Sequence, residues 1–155
     1  MKENHLTKST EDYLETILVL SLDKKVVRIK DLAQHLNVKK PSVVSAVKYL
    51  KRKNLVRQEH YGHVELTEEG EAVAKKIYKR HKALYKFLHN FLGIDSSTAE
   101  KDACRIEHFL TPETMDRILK FIEFIENCPK KEPNWLSNFY HFVKTGKLPK
   151  SCEKC

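Results

Sequence analysis

The sequence predicts a mainly α protein, and three observations support this fold class. Charged residues make up 32% of the chain and hydrophobic residues 41%, with only four Gly and five Pro, a profile typical of helix-rich globular proteins. Apolar residues recur at three-and-four spacing along most of the chain, as they do in amphipathic helices. Two short alternating runs flank the Gly-containing turn His60–His63 and predict one small β-hairpin.

The apolar periodicity and the capping residues predict the order of the elements. Ser9 or Thr10 is expected to cap the first helix, and Ser96 or Ser97 the fifth. A short β-prone stretch is expected at Val26–Ile29, and the hairpin strands at Leu55–Glu59 and Val64–Leu66. A loop is predicted at Cys128–Pro133. The first helix is expected to end at about Leu22 and the fifth at about Leu110. The other predicted helices are Ile29–Leu36, Pro41–Lys53, Thr67–Gly93, Thr111–Asn127 and Asn134–Thr145.

The first 70 residues have the element order of a winged helix-turn-helix, three helices followed by a small β-hairpin wing. In such a motif the second helix of the pair enters the DNA major groove, which predicts a reading role for Pro41–Lys53. Phosphate contacts are expected from lysines, and Tyr61 at the hairpin tip is expected to reach the backbone or minor groove. The candidate DNA-binding residues are Lys39, Lys40, Pro41, Ser42, Ser45, Lys48 and Tyr61.

The charge distribution favours an anionic partner. The formal net charge is +8, and Lys24–Arg57 contains eleven Lys or Arg against one acid, Asp31. Charge alone does not separate nucleic acid from a membrane surface or from an ordinary solvated basic face. Because the basic residues coincide with the predicted reading elements, we expect double-stranded DNA as the partner.

The chain contains no run of about 18 apolar residues, so no membrane span is expected. Its first residues lack the apolar core of a secretory signal. The four cysteines, Cys104, Cys128, Cys152 and Cys155, suit a reduced, cytoplasmic location. The roles of the last three stay open, since the CxxC pair in the polar tail could serve metal binding or redox chemistry or be incidental.

Four pieces of sequence carry side chains that ligate metals. Asp12 and Glu15 are three residues apart on the first helix and share one face. The others are His81, Glu100 and the run Cys104, Glu107 and His108, whose spacing places three ligand types on one helix face. Sulfur, imidazole and carboxylate together suit Fe²⁺, Mn²⁺, Co²⁺ or Zn²⁺ rather than Ca²⁺ or Mg²⁺. Taken singly, these residues are weak signals and are more often structural, whereas the run of Cys104, Glu107 and His108 is a better indication of a metal site.

Two other function classes compete with metal-dependent DNA binding. The His, Cys and Glu cluster could belong to a hydrolytic or redox enzyme, but the chain has no Gly-rich phosphate loop or nucleophile elbow, and the basic motif would be unexplained. A winged-helix regulator that senses an organic ligand, or thiol oxidation at Cys104, is the second alternative. We therefore expect a regulator and not an enzyme.

The chain resembles the diphtheria-toxin-repressor family of metal-dependent regulators, especially its short manganese-regulator branch. The matching segments follow the family's order over roughly residues 9–125; they are Ser9–Ile17, Pro41–Val44, Leu66–Gly70, Arg80–His81 and Ala103–His108. The resemblance implies a homodimeric repressor that controls metal homeostasis and binds operator DNA when loaded with Fe²⁺ or Mn²⁺, with Zn²⁺ or Co²⁺ binding in vitro.

The resemblance also assigns positions. Asp12 and Glu15 fall on the manganese branch's N-terminal carboxylates, whereas Cys104 falls where the iron branch has cysteine. His81, Glu107 and His108 match ligands of both branches. Glu100 falls on an ancillary-site histidine of the iron branch and Tyr85 on that site's glutamate, which disfavours an ancillary site here.

The expected domains are a winged helix-turn-helix DNA-binding domain at residues 1–70, an all-α metal-binding and dimerisation domain at 71–145, and a polar tail at 146–155.

Overall fold

The computed structural model describes residues 6–59, 62–127 and 134–149. The predicted mainly α fold is confirmed. The elements are α1 (Lys8–Asp23), β1 (Val27–Arg28), α2 (Ile29–His35), α3 (Lys40–Arg52), β2 (Val56–Gln58), β3 (His63–Leu66), α4 (Glu68–Lys86) with a π-helical continuation (Phe87–Phe91), α5 (Ser96–Ile106), α6 (Pro112–Glu126) and α7 (Asn134–Thr145).

The chain divides into two compact units, Met1–Lys79 and Arg80–Cys155, and the division falls inside α4. The predicted loop Cys128–Pro133 and the cysteines Cys128, Cys152 and Cys155 lie outside the described residues. Within the described part of the chain, no helix has both the length and the apolarity needed to cross a bilayer.

Helix α1 begins two or three residues earlier than predicted. Thr7, and not Ser9 or Thr10, is the N-cap, and its hydroxyl accepts a hydrogen bond from the Thr10 backbone N–H at 3.3 Å. Thr10 is buried inside the helix, where its hydroxyl hydrogen-bonds to that of Thr7 at 2.7 Å. The prediction of the cap was wrong because three hydroxyl residues precede the apolar run, and tertiary packing selects among them.

Helices α2 and α3 form the helix-turn-helix pair. The turn uses Asn37 in the left-handed conformation at φ 52°, and the Val38 N–H returns to the Ala33 carbonyl at 3.0 Å. Helix α3 ends in the same way: Asn54 has φ 58° and the Leu55 N–H donates to the Leu50 carbonyl at 3.0 Å, which satisfies a terminal carbonyl of the helix.

The wing is a three-stranded antiparallel sheet in the order β1-β3-β2. The strand β1 confirms the predicted β-prone stretch, and Val27 lies opposite Val64, while Val56 lies opposite Leu66. The predicted hairpin is therefore extended by a third strand from before α2.

Thr67 and Gly70 join the wing and the start of α4 to the end of α3. The Thr67 hydroxyl donates to the Asn54 carbonyl at 2.7 Å and accepts from the Gly70 N–H at 3.0 Å. A Cβ at Gly70 would lie 1.8 Å from the Leu55 carbonyl oxygen, so only glycine fits at this approach.

One apolar core holds the first unit together. Its completely buried side chains come from four helices and from the sheet, and include Leu14, Leu32, Val43, Val47, Leu50 and Ala74, each 0% exposed. The core therefore fixes the orientation of α3 relative to α1, α2 and the wing.

The second unit contains α5, α6 and α7 and the end of α4. Asp95, and not Ser96 or Ser97, caps α5, accepting from the Ser97 and Thr98 N–H groups at 3.0 and 3.1 Å. Helix α5 ends at Ile106, earlier than the predicted Leu110, with Glu107 as its C-cap and the Phe109 N–H donating to the Ile106 carbonyl three residues back at 2.9 Å.

Two smaller apolar clusters stabilise this unit. One centres on Leu84, Leu88, Ala99, Ala103 and Met115, and the other on Ala83, Phe91, Ile122 and Ile125. Several large apolar side chains stay on the surface, among them Phe109 at 78% and Phe124 at 72% exposure.

Candidate metal centre and nucleic-acid interface

Helix α3 has one buried face and one exposed polar face. Val43, Val47 and Leu50 are buried in the core of the first unit. The candidate DNA-binding residues on this helix and at its N-cap are all exposed: Lys39, Lys40, Pro41, Ser42, Ser45 and Lys48. Tyr61 lies outside the described residues. The helix therefore presents its polar side chains without disturbing the core.

Two further basic residues extend this exposed face. A surface cavity of about 600 Å³ is lined by Ser45, Lys48, Lys51 and Arg52. The prediction from sequence did not include Lys51 and Arg52 among the DNA-binding residues, although their spacing from Lys48 by three and four positions places them on the same helix face. Electrostatically this surface suits a phosphate backbone.

The single acid among these basic residues is already paired. Asp31 accepts hydrogen bonds from the Lys24 ammonium group at 2.7 Å and from the Arg28 backbone N–H at 2.9 Å. The hydrogen bond from Lys24 is the main reason that the pKa of Asp31 is lowered. The Asp31 carboxylate thus caps α2 and pairs with Lys24. It does not neutralise the basic side chains of α3.

The two candidate carboxylates on α1 are half-buried in the first unit. Asp12 and Glu15 stand three residues apart, next to the buried Tyr13 and Leu14. Burial raises the pKa of the Tyr13 phenol, and the charge of Asp12 adds to this rise. The spacing confirms that α1 carries both carboxylates on one side, partly withdrawn from water.

A buried cluster in the second unit contains a carboxylate and two imidazoles. The Glu107 side chain is 1% exposed, His108 2% and His81 11%. His81 Nδ1 lies 3.5 Å from Glu107 Oε2, and His108 Nε2 lies 3.3 Å from Glu107 Oε1. The structure therefore brings together three of the predicted metal ligands.

The surroundings of Glu107 fit a divalent cation. Neither carboxylate oxygen accepts a hydrogen bond from any residue that the structure describes. A buried carboxylate without hydrogen bonds costs free energy unless a cation compensates its charge. Oxygen and imidazole nitrogen ligands suit Fe²⁺, Mn²⁺, Co²⁺ and Zn²⁺. His81, Glu107 and His108 are therefore a suitable half of a transition-metal site.

Glu100 contacts this cluster from its exposed side. Its carboxylate Oε1 lies 3.0 Å from His81 Nε2, at hydrogen-bond distance, although the Glu100 side chain is 62% exposed. The nitrogen that Glu100 contacts is thus the one that faces away from Glu107.

Cys104 is exposed on α5, in contrast to the buried Glu107. Glu107 is the C-cap of α5: it keeps helical backbone angles, and its N–H donates to the Ala103 carbonyl at 3.0 Å. It follows the buried Ala99 and Ala103 at four-residue spacing, which accounts for its burial. His108 lies in the turn after the helix.

Tyr85, which the resemblance aligns with an ancillary-site glutamate, contacts Ser96. Their hydroxyl groups are 3.0 Å apart, and the Tyr85 ring stacks on His89 with centroids 5.4 Å apart. Tyr85 thus brings a hydroxyl group, and not a carboxylate, to this position.

Two family models match this chain, one in its N-terminal part and one in its C-terminal part. Residues 5–64 match the model of the iron dependent repressor N-terminal DNA binding domain, and residues 67–136 that of the iron dependent repressor metal binding and dimerisation domain. These families consist of transcriptional regulators and not of enzymes.

Curated relatives share this organisation. The chain is 40% identical over 119 residues to an uncharacterized HTH-type transcriptional regulator of Methanocaldococcus jannaschii, covering 76% of this chain and 95% of the relative. It is 37% identical over 123 residues to the HTH-type transcriptional regulator MntR of Listeria welshimeri, covering 79% of this chain and 86% of MntR.

Solved structures are similar as well. IdeR of T. acidophilum is 28% identical with a TM-score of 0.68, covering 84% of this chain and 60% of IdeR. A manganese-dependent transcriptional repressor in complex with manganese is 28% identical with a TM-score of 0.69, covering 80% of this chain and 57% of the repressor. The chain thus spans about 60% of the length of these solved proteins. Together with the relatives, they show that this chain belongs to the iron-dependent repressor family of metal-dependent transcriptional regulators.

Proposed function

We propose that this protein is a homodimeric, cytoplasmic repressor that binds operator DNA when loaded with Fe²⁺ or Mn²⁺ and thereby controls metal homeostasis. The buried Glu107 carboxylate beside His81 and His108 carries the proposal, because a buried carboxylate that accepts no hydrogen bond from the described residues, next to two imidazoles, offers the ligand atoms that a divalent cation takes. The exposed basic face of α3 and the family membership support the DNA-binding half.

The proposed metal ligands come from both units. His81, Glu107 and His108 supply imidazole and carboxylate from the second unit, and Asp12 and Glu15 supply carboxylates from α1. Cys104 is proposed to add a thiolate, and Glu100 takes part through His81. Bound Fe²⁺ or Mn²⁺ supplies positive charge that offsets the repulsion among these carboxylates.

The proposed ligands do not choose between Fe²⁺ and Mn²⁺, so the concentration of each ion in the cell decides which one is bound. Carboxylate and imidazole ligands accept both ions, while a thiolate from Cys104 would favour Fe²⁺, Co²⁺ and Zn²⁺ over Mn²⁺. Zn²⁺ and Co²⁺ are therefore expected to bind in vitro, since raw affinity follows the Irving–Williams order.

On the DNA side, we propose that Lys39, Pro41, Ser42 and Ser45 face base edges in the major groove. The Ser45 hydroxyl donates a hydrogen bond to the Pro41 carbonyl at 3.1 Å. To contact a base, it must either give up this bond or accept a hydrogen bond from the base. Lys40 and Lys48 are proposed to contact phosphates together with Lys39. Tyr61, at the tip of the hairpin, is proposed to contact the backbone or minor groove.

The proposed control of DNA binding by metal depends on which domain carries each carboxylate. Asp12 and Glu15 belong to the helix that packs in the core beneath α3, within the DNA-binding domain proposed at residues 1–70. The other ligands belong to the domain proposed at 71–145, before the tail at 146–155. Ligands held jointly by both domains would fix the two α3 helices of a dimer about 34 Å apart, the spacing of successive major grooves. Exposed Phe109 and Phe124 are candidates for the dimer contact.

A DNA-binding experiment tests this function. An operator is first obtained by in vitro selection with the Mn²⁺-loaded protein, and its affinity is then measured with Fe²⁺, with Mn²⁺ and with excess chelator. We expect chelator to release the DNA. If oxidation of Cys104 released the DNA and chelator did not, the protein would instead be a thiol sensor. Cys104 is exposed, as such a sensor requires.

A variant tests the role of α1. Asp12→Ala should keep the fold, measured by circular dichroism, but should lose most of the metal-dependent gain in DNA affinity. Asp23→Ala is the matched control, because Asp23 is an exposed acid at the other end of the same helix. An Asp12→Ala protein whose DNA affinity responds to metal as the wild type does would contradict the proposal.

A further inference from the structure

Glu100 combines two features that an ordinary metal ligand does not share. It is the most exposed member of the cluster at 62%, and its carboxylate meets His81 Nε2 and not Glu107. His81 meets Glu107 with its other ring nitrogen, Nδ1, at 3.5 Å. The imidazole thus stands between two carboxylates, one at the surface and one in the interior.

The contact with Glu100 determines which nitrogen of His81 carries the proton. A carboxylate only accepts hydrogen bonds, so the 3.0 Å contact requires a proton on Nε2. In the neutral imidazole the lone pair then lies on Nδ1. This nitrogen faces the buried Glu107 carboxylate, which accepts no hydrogen bond among the described residues.

We propose that Glu100 is a positioning residue that fixes the tautomer and the ring orientation of His81, so that Nδ1 is the ligating nitrogen. Metal-binding histidines generally donate their second N–H to a carboxylate, a carbonyl or water, and this partner raises the basicity of the ligand. The proposal rests on the proposed function for the metal itself, but the tautomer of His81 is a property of the metal-free protein.

The tautomer is measured first. Long-range ¹H–¹⁵N correlation spectra of the metal-free full-length protein at pH about 8 reveal which imidazole nitrogen is protonated, and His81→Asn assigns the signals. We expect the Nε2-protonated tautomer in the wild type and a mixture of tautomers in Glu100→Ala. A wild-type His81 protonated on Nδ1 would overturn the proposal, whatever the metal affinity.

Metal affinity is measured second, by calorimetric titration of the wild type and variants with Mn²⁺. Loss of such a partner typically weakens metal binding about 10- to 100-fold, and we expect the lower end for the exposed Glu100. Asp102→Ala is the matched control, since it removes the same charge two positions along α5 on another side of the helix. Equal affinities of Glu100→Ala and Asp102→Ala would overturn the proposal.

Glu100→Gln separates positioning from direct ligation. The Gln amide oxygen still accepts from Nε2–H, so we expect this variant to keep the wild-type tautomer and most of the metal affinity. A loss as large as that of Glu100→Ala, with the tautomer unchanged, would show that Glu100 is itself a ligand. If the wild type binds no metal, the proposed function fails, whereas the tautomer measurement still tests the role of Glu100.

Discussion

The two units of this protein bury different kinds of side chain. The first unit has one continuous apolar core, and its described buried polar residues are threonines; the hydroxyl groups of Thr10 and Thr67 form hydrogen bonds. The second unit divides its apolar residues between two smaller clusters and also buries His81 and Glu107. The second unit thus places a buried carboxylate, whose oxygens accept no hydrogen bond from the described residues, within 3.5 Å of two imidazole rings.

Because of this difference, substitutions in the two units should affect the stability of the protein in different ways. A ligand that binds only the folded state stabilises it in proportion to the logarithm of its concentration relative to Kd. We therefore expect substitutions in the first core to act whether or not metal is present, and substitutions near Glu107 to act through metal.

The largest effect is expected in the first core. Leu14 is 0% exposed, so Leu14→Ala removes buried methyl groups and leaves a cavity, which should lower the free energy of unfolding by about 2–5 kcal/mol with or without metal. Urea denaturation measures this. Val143→Ala is the comparison from the second unit, because Val143 is 62% exposed and its truncation should cost little. Equal destabilisation by the two substitutions would remove the contrast between the units.

Charge reversal on α3 tests whether this unit binds DNA through the face described above. Lys39→Glu with Lys40→Glu should weaken operator binding at least about 100-fold and reduce the logarithmic slope of the salt dependence by about 0.9 for each phosphate that the variant no longer neutralises. Lys76→Glu with Lys79→Glu, exposed positions on α4, gives the same charge change as a control. Fluorescence anisotropy at several salt concentrations measures both, and an unchanged affinity would exclude this face.

Glu107→Gln sharpens the contrast because its effect should change sign with metal. Without metal, replacing a buried carboxylate that accepts no hydrogen bond should raise the free energy of unfolding by about 1–2 kcal/mol. With metal, the variant should lack the stabilisation that the wild type gains, which is about 2.7 kcal/mol at a metal concentration 100 times Kd. Denaturation with Mn²⁺ and with chelator measures both. A variant that is destabilised without metal would show that Glu107 has a structural partner.

The smallest effect concerns the cap of α5. Hydrogen bonds from Thr98 and Ser97 lower the pKa of Asp95 from 3.8 to about 2. A lowered folded-state pKa means that the ionised cap stabilises the protein above pH about 4 and that this contribution is lost as the pH falls towards 2. Asp95→Ala should therefore lower the denaturation midpoint most at neutral pH, with a difference that closes in acid. Asp95→Asn keeps the cap but should show no such pH dependence, and a pH-independent difference for Asp95→Ala would contradict the assignment.

Much of the first unit could be predicted because local rules and packing agree there. The apolar spacing of Val43, Val47 and Leu50 predicts both α3 and its buried face, and Asn54 ends the helix as expected. The need for glycine at position 70 could not be predicted, because it depends on the carbonyl of Leu55, which is distant in sequence. The cap residues were missed because several hydroxyl residues compete at both helix starts.

The candidate metal site was predicted in its residues but not in its geometry. Ligand chemistry and the family motif single out His81, Glu107 and His108, which the structure brings together. Helical spacing, however, does not predict that α5 ends at Ile106, or that Cys104 stays exposed while Glu107 at the end of the same helix is buried. The contact between Glu100 and His81 was equally hidden, since it joins residues on two helices.

Coupling between metal and DNA is the central claim, and it is reciprocal: DNA must raise the affinity for metal by the factor by which metal raises the affinity for DNA. The most direct measurement is the Mn²⁺ affinity of the full-length protein with and without saturating operator DNA. We predict an increase of about 5- to 150-fold in the presence of the operator. A metal affinity that is the same with and without DNA would contradict the account.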